Sequence, residues 1–557
     1  MAGSTPPQTA RFRVLVTDEV DPQGVDLLRA EPAFIVDEQP TKPWRERLSD
    51  IGNYDAVVGR SATQMPAEFL RAAKKLRVIG RAGVGTDNID LREATALGIA
   101  VINAPSGNTV SVAELFFGVI LSVVRHLPRA CSSMRAGRWD RSDLTGTELQ
   151  GRTLGIVGLG RIGGEIAMRA QAFRMRVIAY DPYVQRERFE LLRVECAKSL
   201  PELLSQVSIL TVHTPLTDET RGMIAARELA QLPEGAIVAN LARGGIVNDA
   251  DLCAALESGH IGAAALDVYA KEPLAADSRL RTMENVVLTP HLGASTAEGQ
   301  RNVAVDVCQA VREALLSGEL AGAVNLAGVE TERWHELQGA LTLARQSAAI
   351  ARALLCDLGA PSVEQATVHI GREFSGADGL ITAAAAEGML AAVTGDDRIN
   401  IVNARARAAE RGVALATVPA PLAEDAHAVR VSMRGNGESI TVGGVAVPNT
   451  TPRLTRIGEF KVDVAPRRTL LVLTNADVPG VIGRVGTVLG DAGVNIAEYH
   501  QARMTQGGNA LAAVALDGDV TEPVRQKLLA LRDVRSATAI NLEGPRDEFT
   551  PEGDAWS

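Results

Sequence analysis

Three residues of this 557-residue chain have the types and placement needed to move a proton and a hydride. His291 lies in Pro290-His291-Leu292-Gly293-Ala294, just after the apolar run Val286 to Thr289. Glu272 lies in Val268-Tyr269-Ala270-Lys271-Glu272-Pro273, and Arg243 in Asn240-Leu241-Ala242-Arg243-Gly244-Gly245, after the run Ala236 to Ala239. An imidazole titrates near neutrality, so a histidine suits the role of base for a hydroxyl proton. Glu272 would hold the other ring nitrogen and stabilise the imidazolium. Arg243 would fork onto a carboxylate and the oxygen beside it, a geometry lysine cannot reproduce. Each has a blander reading as a capped surface arginine, a loop acid or a core histidine. Together, at the ends of successive strands where open α/β sheets carry their chemistry, they point to oxidation of a 2-hydroxy acid.

Such a reaction needs a hydride acceptor, and the chain offers a place for one. Leu154 to Val157 is a short apolar strand running into Gly158-Leu159-Gly160-Arg161-Ile162-Gly163 and then a helix, Gly164 to Phe173. Gly158 permits the tight turn, Gly160 lets backbone approach a pyrophosphate, and Gly163 allows close helix packing. The motif alone is weak. A second strand, Arg176 to Tyr180, ends in Asp181, where an acid can hydrogen-bond the adenine ribose and repel a 2′-phosphate, so NAD is expected rather than NADP.

The elements that position these residues fall into several domains, because 557 residues exceed one hydrophobic core. Short strands at Phe12 to Val16, Ala56 to Val58, Val78 to Gly80 and Ala100 to Ile102 build a first α/β unit; the βα alternation restarts at Thr153. A helix from about Ser111, apolar on nearly every face, reads as a wall between the two, and a long helix from Thr296 to Leu316 is expected to cross back onto the first. From Glu330 to Pro466 come alanine-rich helices (Leu341 to Leu355, Ala383 to Val393, Val402 to Arg411) followed by strands; Arg468 to Leu542 reads as βαββαβ, the ferredoxin-like order. The tail after Gly544 is polar and expected to be loose.

Composition closes other routes. Hydrophobic residues make up 46% and charged residues 22%, an ordinary globular balance, and a net charge of −10 disfavours a nucleic-acid surface. The longest apolar run, Val112 to Val124, contains Glu114 and is shorter than a membrane span. Met1 to Ala10 is polar and lacks signal or transit character, so a cytoplasmic protein is expected. The five cysteines are scattered and never form C-x-x-C, so no metal site is expected and they read as reduced core residues.

The stretches Gly158 to Gly163, Ala242 to Gly245, Lys271 to Pro273 and Pro290 to Ser295 resemble the signatures of the D-isomer-specific 2-hydroxyacid dehydrogenases. The resemblance implies Arg243, Glu272 and His291 as catalytic residues, and cofactor contacts at Arg161, Ile162, Thr214, Ala242 and Asp267, the last near the nicotinamide amide. Arg60 to Thr63, Gly80 to Asn88 and Asn103 to Thr109 are similar to the phosphoglycerate dehydrogenases, in which Arg60, the turn Gly83-Val84-Gly85 and Asn108 would meet the substrate. An arginine beside backbone N–H groups suits a strongly anionic small molecule. Trp139 reads either as reaching a neighbouring subunit's cleft or as local packing.

What the resemblance implies overall is a flavodoxin-like substrate domain (11–104 and 296–327) into which a Rossmann NAD domain (105–295) is inserted, then an α+β intervening domain (330–466) and a ferredoxin-like ACT domain (467–543). Serine is the implied effector, held at Asn475, Asp477 and Asn495 between two ACT modules of a homo-oligomer, a tetramer favoured; Arg453 and Arg456 are candidate anion ligands. The expected activity is oxidation of 3-phospho-D-glycerate to 3-phosphooxypyruvate, the first step of serine biosynthesis. Alternatives are a broader reductase of hydroxypyruvate or 2-oxoglutarate, and an NAD-sensing transcriptional protein, against which the intact trio and the acidic charge speak.

Overall fold

The computed structural model describes residues 12–326, 331–394, 398–421, 425–505 and 507–542. Met1 to Ala10, the tail after Gly544 and the expected domain start at Glu330 lie outside the described residues.

The first sheet is all parallel, with strands Phe34–Glu38, Phe12–Val16, Ala56–Gly59, Val78–Arg81 and Ala100–Asn103 side by side in that order. Both faces of a parallel sheet are covered, which is why its strands read as valine and isoleucine runs rather than alternating. Phe34–Glu38 was not expected; it is the edge strand, mostly half-exposed, so its apolar signal is weak. The second sheet orders Val286–Leu288, Ile261–Leu266, Ala236–Asn240, Ile209–Val212, Thr153–Val157, Arg176–Tyr180 and Glu195–Cys196, all parallel. Its order reverses at Thr153–Val157, and a cleft opens beyond the strand C-termini at that point.

Two helices carry the chain between these sheets. Thr109–Val124 buries Val112, Phe116, Ile120 and Val123 in the core of the second. Ala297–Ser317, capped by Thr296 accepting from Gly299 N–H at 3.0 Å and ended by Gly318 at φ 70°, lays Val303, Val307 and Val311 on the first sheet. Each such fully buried aliphatic side chain stabilises the fold by roughly 1.5–3 kcal/mol. The two helices start against each other, with the Ser111 and Thr296 hydroxyls 2.6 Å apart, and a Cβ on Gly299 would press on Ser111 Oγ at 2.7 Å. Among the described residues, no single helix is long and apolar enough to cross a membrane.

The third unit departs from helices followed by strands. Strand Gln365–Ile370 sits between helices Thr331–Asp357 and Asp378–Thr394, and pairs parallel with Ala414–Pro419 and antiparallel with Ala428–Gly435 in a six-stranded sheet. Its alternation is real, every second residue being buried, but six residues between alanine-rich helices carry little weight by periodicity. The last unit is the expected βαββαβ: an antiparallel sheet ordered Ile496–Arg503, Asn509–Leu516, Thr469–Ala476, Val534–Asn541, backed by helices Val481–Asp491 and Glu522–Leu529. Its other face packs Leu470, Val472, Ala513 and Ile540 into a core continuous with Thr331–Asp357. The cysteines differ from expectation: Cys253 and Cys308 are buried, whereas Cys131, Cys196 and Cys356 are exposed.

Candidate active site

The cofactor turn forms as its glycines require. Gly158 sits at φ 96°, in the left-handed region, and a Cβ there would press on the His213 carbonyl at 2.5 Å. Gly160 has open space before it, whereas Gly163 backs onto Gly158. The helix starts earlier than its pattern indicated, at Arg161, so Gly163 lies in its first turn and the unpaired N–H groups of that turn open on the cleft. Asp181 is bound to the turn itself: Oδ2 accepts from Leu159 N–H at 2.9 Å and Oδ1 from Tyr183 N–H at 3.0 Å. Arg188 closes the corner by donating to the carbonyls of Leu159 and Gly160 at 2.8 and 2.9 Å.

Gly160, Arg161, Ile162, Thr214 and Ala242 line a cleft of about 1240 Å³ between the two sheets. Buried on its wall, Thr214 Oγ1 and Asn108 Oδ1 have no hydrogen-bond partner among the described residues. A dry apolar slot would not hold such atoms, and a polar dinucleotide can satisfy them. His213, on the same wall, bonds Thr211 through Nε2 at 2.8 Å, and burial pushes its imidazole down to about 3, so it stays neutral beneath the turn.

Across the cleft, His291 Nδ1 lies 2.7 Å from Glu272 Oε2, while Glu272 Oε1 accepts from Tyr269 N–H at 3.1 Å. Both side chains are part-exposed, at 48% and 36%, leaving Nε2 of the imidazole free to meet a substrate. His291 adopts φ 56°, unusual for a residue other than glycine, and the turn that holds it there is built by Asp267. Only 1% exposed, Asp267 accepts from Leu292 N–H at 2.7 Å, Gly293 N–H at 2.9 Å and the Thr289 hydroxyl at 2.5 Å. The resemblance implies that this acid stands near the nicotinamide amide; the three internal donors give it a second task, to set the His291 turn.

Arg243 reaches over from the second domain to the first. Its Nε meets Asp87 at 3.1 Å, its Nη1 donates to the Ala242 carbonyl at 2.7 Å, and its guanidinium lies where a Cβ on Gly85 would be. Arg81 likewise occupies the space over Gly83, whose φ of 147° itself favours glycine, and a side chain at Gly85 would have to displace the Arg243 guanidinium. Arg60 and Val84 also line the cleft, and Asn103 fixes the Val84 carbonyl at 2.5 Å. Burial, then the like charges of Arg243 and Arg60, pull the Arg81 guanidinium down to about 10. Its buried Nε has no partner among the described residues. Three mutually repelling arginines with one exposed acid, Asp87, between them form a site that an anion stabilises. The sequence reading left Arg81 and Asp87 without roles although both stand in the quoted run Gly80 to Asn88; nothing in that run shows which side chains turn inward.

The ACT positions are separated. Asn475 is 1% exposed and donates to the Ala476 carbonyl at 2.8 Å; Asp477 accepts from Gly507 N–H at 3.1 Å and Arg503 at 3.3 Å. Asn495 donates to Asp517 at 2.5 Å at the other end of the sheet. Ala476 pairs with Asn509 but Ile496 with Leu516, so a strand of about 25 Å separates them. Arg453 is engaged by Asp463 and Glu498, and Arg456 by the Gly458 carbonyl and Glu459, so neither is a free anion ligand. Trp139 is 77% exposed, away from the cleft lining.

Comparison with known proteins agrees with this geometry. Residues 117–293 match the D-isomer specific 2-hydroxyacid dehydrogenase, NAD binding domain, and residues 469–533 the ACT domain. The chain is 36% identical over 535 residues to a D-3-phosphoglycerate dehydrogenase of Synechocystis, covering 95% of each. It is 37% identical over 533 residues to that of Mycobacterium tuberculosis, covering 95% of this chain and 99% of the other. Among solved structures, a glyoxylate reductase from Paecilomyes thermophila superposes with a TM-score of 0.53 at 28% identity, over 57% of this chain and 99% of that one. The chain therefore belongs to the D-3-phosphoglycerate dehydrogenase family, as an NAD-dependent 2-hydroxyacid dehydrogenase that carries an ACT domain.

Proposed function

We propose that the cleft binds 3-phospho-D-glycerate and oxidises it to 3-phosphooxypyruvate, opening serine biosynthesis in the cytoplasm. The observation that carries this reading is the convergence of Arg60, Arg81 and Arg243 opposite the His291 and Glu272 pair. One small molecule bearing two anionic groups and an oxidisable hydroxyl answers both features. Arg243 and the N–H groups of the Gly83 to Gly85 turn take the carboxylate, Arg60 takes the phosphate, and Arg81 supplies charge between them.

His291 Nε2 accepts the C2 hydroxyl proton as the C2 hydrogen departs with its electron pair, and Glu272 stabilises the imidazolium that results. NAD, when bound, supplies the acceptor for that hydride. Gly158, Gly160, Arg161, Ile162 and Gly163 would hold its pyrophosphate, Asp181 its ribose, and Thr214, Ala242 and Asp267 its nicotinamide end, while Asn108 faces the substrate. Asp267 keeps the His291 turn in place.

Serine is the proposed effector. Because Asn475 and Asp477 stand at one end of the ACT sheet and Asn495 at the other, a complete site needs two modules, and we assign it to a homo-oligomer, a tetramer as the fuller assembly. The reading is tested by NADH formation from 3-phospho-D-glycerate in wild-type protein and in His291→Ala. Turnover lost in the variant while NAD still binds is expected; turnover unchanged in the variant would remove His291 from the mechanism.

A further inference from the structure

The turn that presents Arg60 is held in an unusual way. Both backbone groups of Arg60 and of Thr63 are tied to two buried side chains and to no secondary structure partner. Asp18, 5% exposed, accepts from the Arg60 N–H and, at 3.4 Å, from the Thr63 N–H; it also takes the Thr63 hydroxyl at 2.5 Å. Asn88, 8% exposed, donates from its single amide nitrogen to the Arg60 carbonyl at 3.0 Å and the Thr63 carbonyl at 2.7 Å. A short turn thus has its N–H groups read by a carboxylate and its C=O groups read by an amide.

Those two side chains come from different places. Asp18 follows the strand Phe12–Val16, so it fixes the turn to the sheet. Asn88 ends the run Gly83 to Asn88, the same backbone that carries Gly83 and Gly85 against Arg81 and Arg243. Its own carbonyl accepts from Met65 N–H at 2.8 Å, and Met65 bridges Ile89, so the C-terminal end of the run is stitched to the segment after Arg60. Moving Asn88 moves the Arg60 turn relative to the other two arginines.

We infer that Asn88 is a positioning residue that sets the span between Arg60 and the Arg81 and Arg243 pair, and with it the preference for a 2-hydroxy acid carrying a second anion at its far end over one without it. The inference rests on the proposed reading of the cleft. Two anionic groups on one short molecule have a fixed separation, so an error in the span is felt only by a substrate that engages both ends. A molecule held by its carboxylate alone does not report it.

The test is steady-state reduction of 3-phosphohydroxypyruvate and of hydroxypyruvate by NADH with wild-type protein, Asn88→Asp and Asp18→Asn. Asn88→Asp is isosteric and removes both donated hydrogen bonds; Asp18→Asn weakens the turn from its other side, so the result does not hang on one variant folding. The expected result is a KM for the phosphorylated acid raised about tenfold in each variant, with KM for hydroxypyruvate and for NADH within about twofold of wild type. Equal rises on both acids would show general loosening and overturn the inference, as would an unchanged KM ratio in folded variants. A wild-type protein with no preference for the phosphorylated acid would overturn the parent reading and this inference with it.

Discussion

Glu272→Gln isolates the charge on the partner of the candidate base. The carboxylate oxygen lies 2.7 Å from His291 Nδ1, and the second oxygen is held by Tyr269 N–H, so the amide of glutamine can occupy the same place and still accept one hydrogen bond. What is lost is the interaction between carboxylate and imidazolium, which exists only once His291 has taken the proton. Two unit charges with centres about 4 Å apart interact by about 4 kcal/mol at an effective dielectric of about 20. Both side chains are more than a third exposed, so solvent screening reduces this to about 2 kcal/mol. Because the charge develops along the reaction, that loss falls on the barrier and predicts kcat for 3-phospho-D-glycerate oxidation lower by about 30-fold. NAD affinity should be unchanged. The assay is NADH absorbance under saturating NAD and substrate, with single-turnover mixing to confirm that chemistry is being observed. A variant within about threefold of wild type in single turnover would refute the role given to the carboxylate.

Three other perturbations address the remaining parts. Asp181→Ala removes an acceptor and a negative charge at the glycine turn, so NAD affinity should fall and the preference for NAD over NADP should narrow by about tenfold or more; an unchanged ratio of kcat/KM values would discard the ribose assignment. Arg81 binds an anion only when charged and is held down to about 10 by burial and by Arg243 and Arg60, so kcat/KM for the phosphorylated acid should fall about tenfold for one pH unit above that value. Below it the guanidinium is charged and Arg81 adds no limb of its own; Arg81→Gln should be weak and should lack the alkaline limb, and a limb surviving in that variant would assign it elsewhere. Asp477→Ala frees Arg503 and Gly507 N–H far from the cleft, so turnover without effector should be intact while any serine inhibition weakens; inhibition of wild-type strength in the variant would remove Asp477 from the effector site.

What could be read without coordinates follows from the range of the interactions involved. Gly158 to Gly163 and Asp181 announce themselves because a tight turn, a close phosphate approach and a ribose contact each demand one residue type at one local spacing. Arg243, Glu272 and His291 were legible as a set because each follows an apolar strand, and strand ends in such sheets converge. The edge strand Phe34–Glu38 and the strand Gln365–Ile370 escaped for opposite reasons: one is too exposed to show an apolar pattern, the other too short among strong helix formers. Arg81 could not be separated from an ordinary surface arginine, since the like charges of Arg60 and Arg243 reach it from two segments apart in the chain. Asp267 carries a task that no local motif announces: Thr289, Leu292 and Gly293 engage its two oxygens, and only the folded turn around His291 reveals that.

The most direct measurement is the ratio of kcat/KM for NADH-dependent reduction of 3-phosphohydroxypyruvate to that for 2-oxoglutarate. Three arginines facing one proton-transfer pair predict a strong preference for the phosphorylated acid, by about 100-fold or more. Equal efficiency on the two acids would contradict the assignment and leave a 2-hydroxyacid dehydrogenase whose arginine cluster serves another anion.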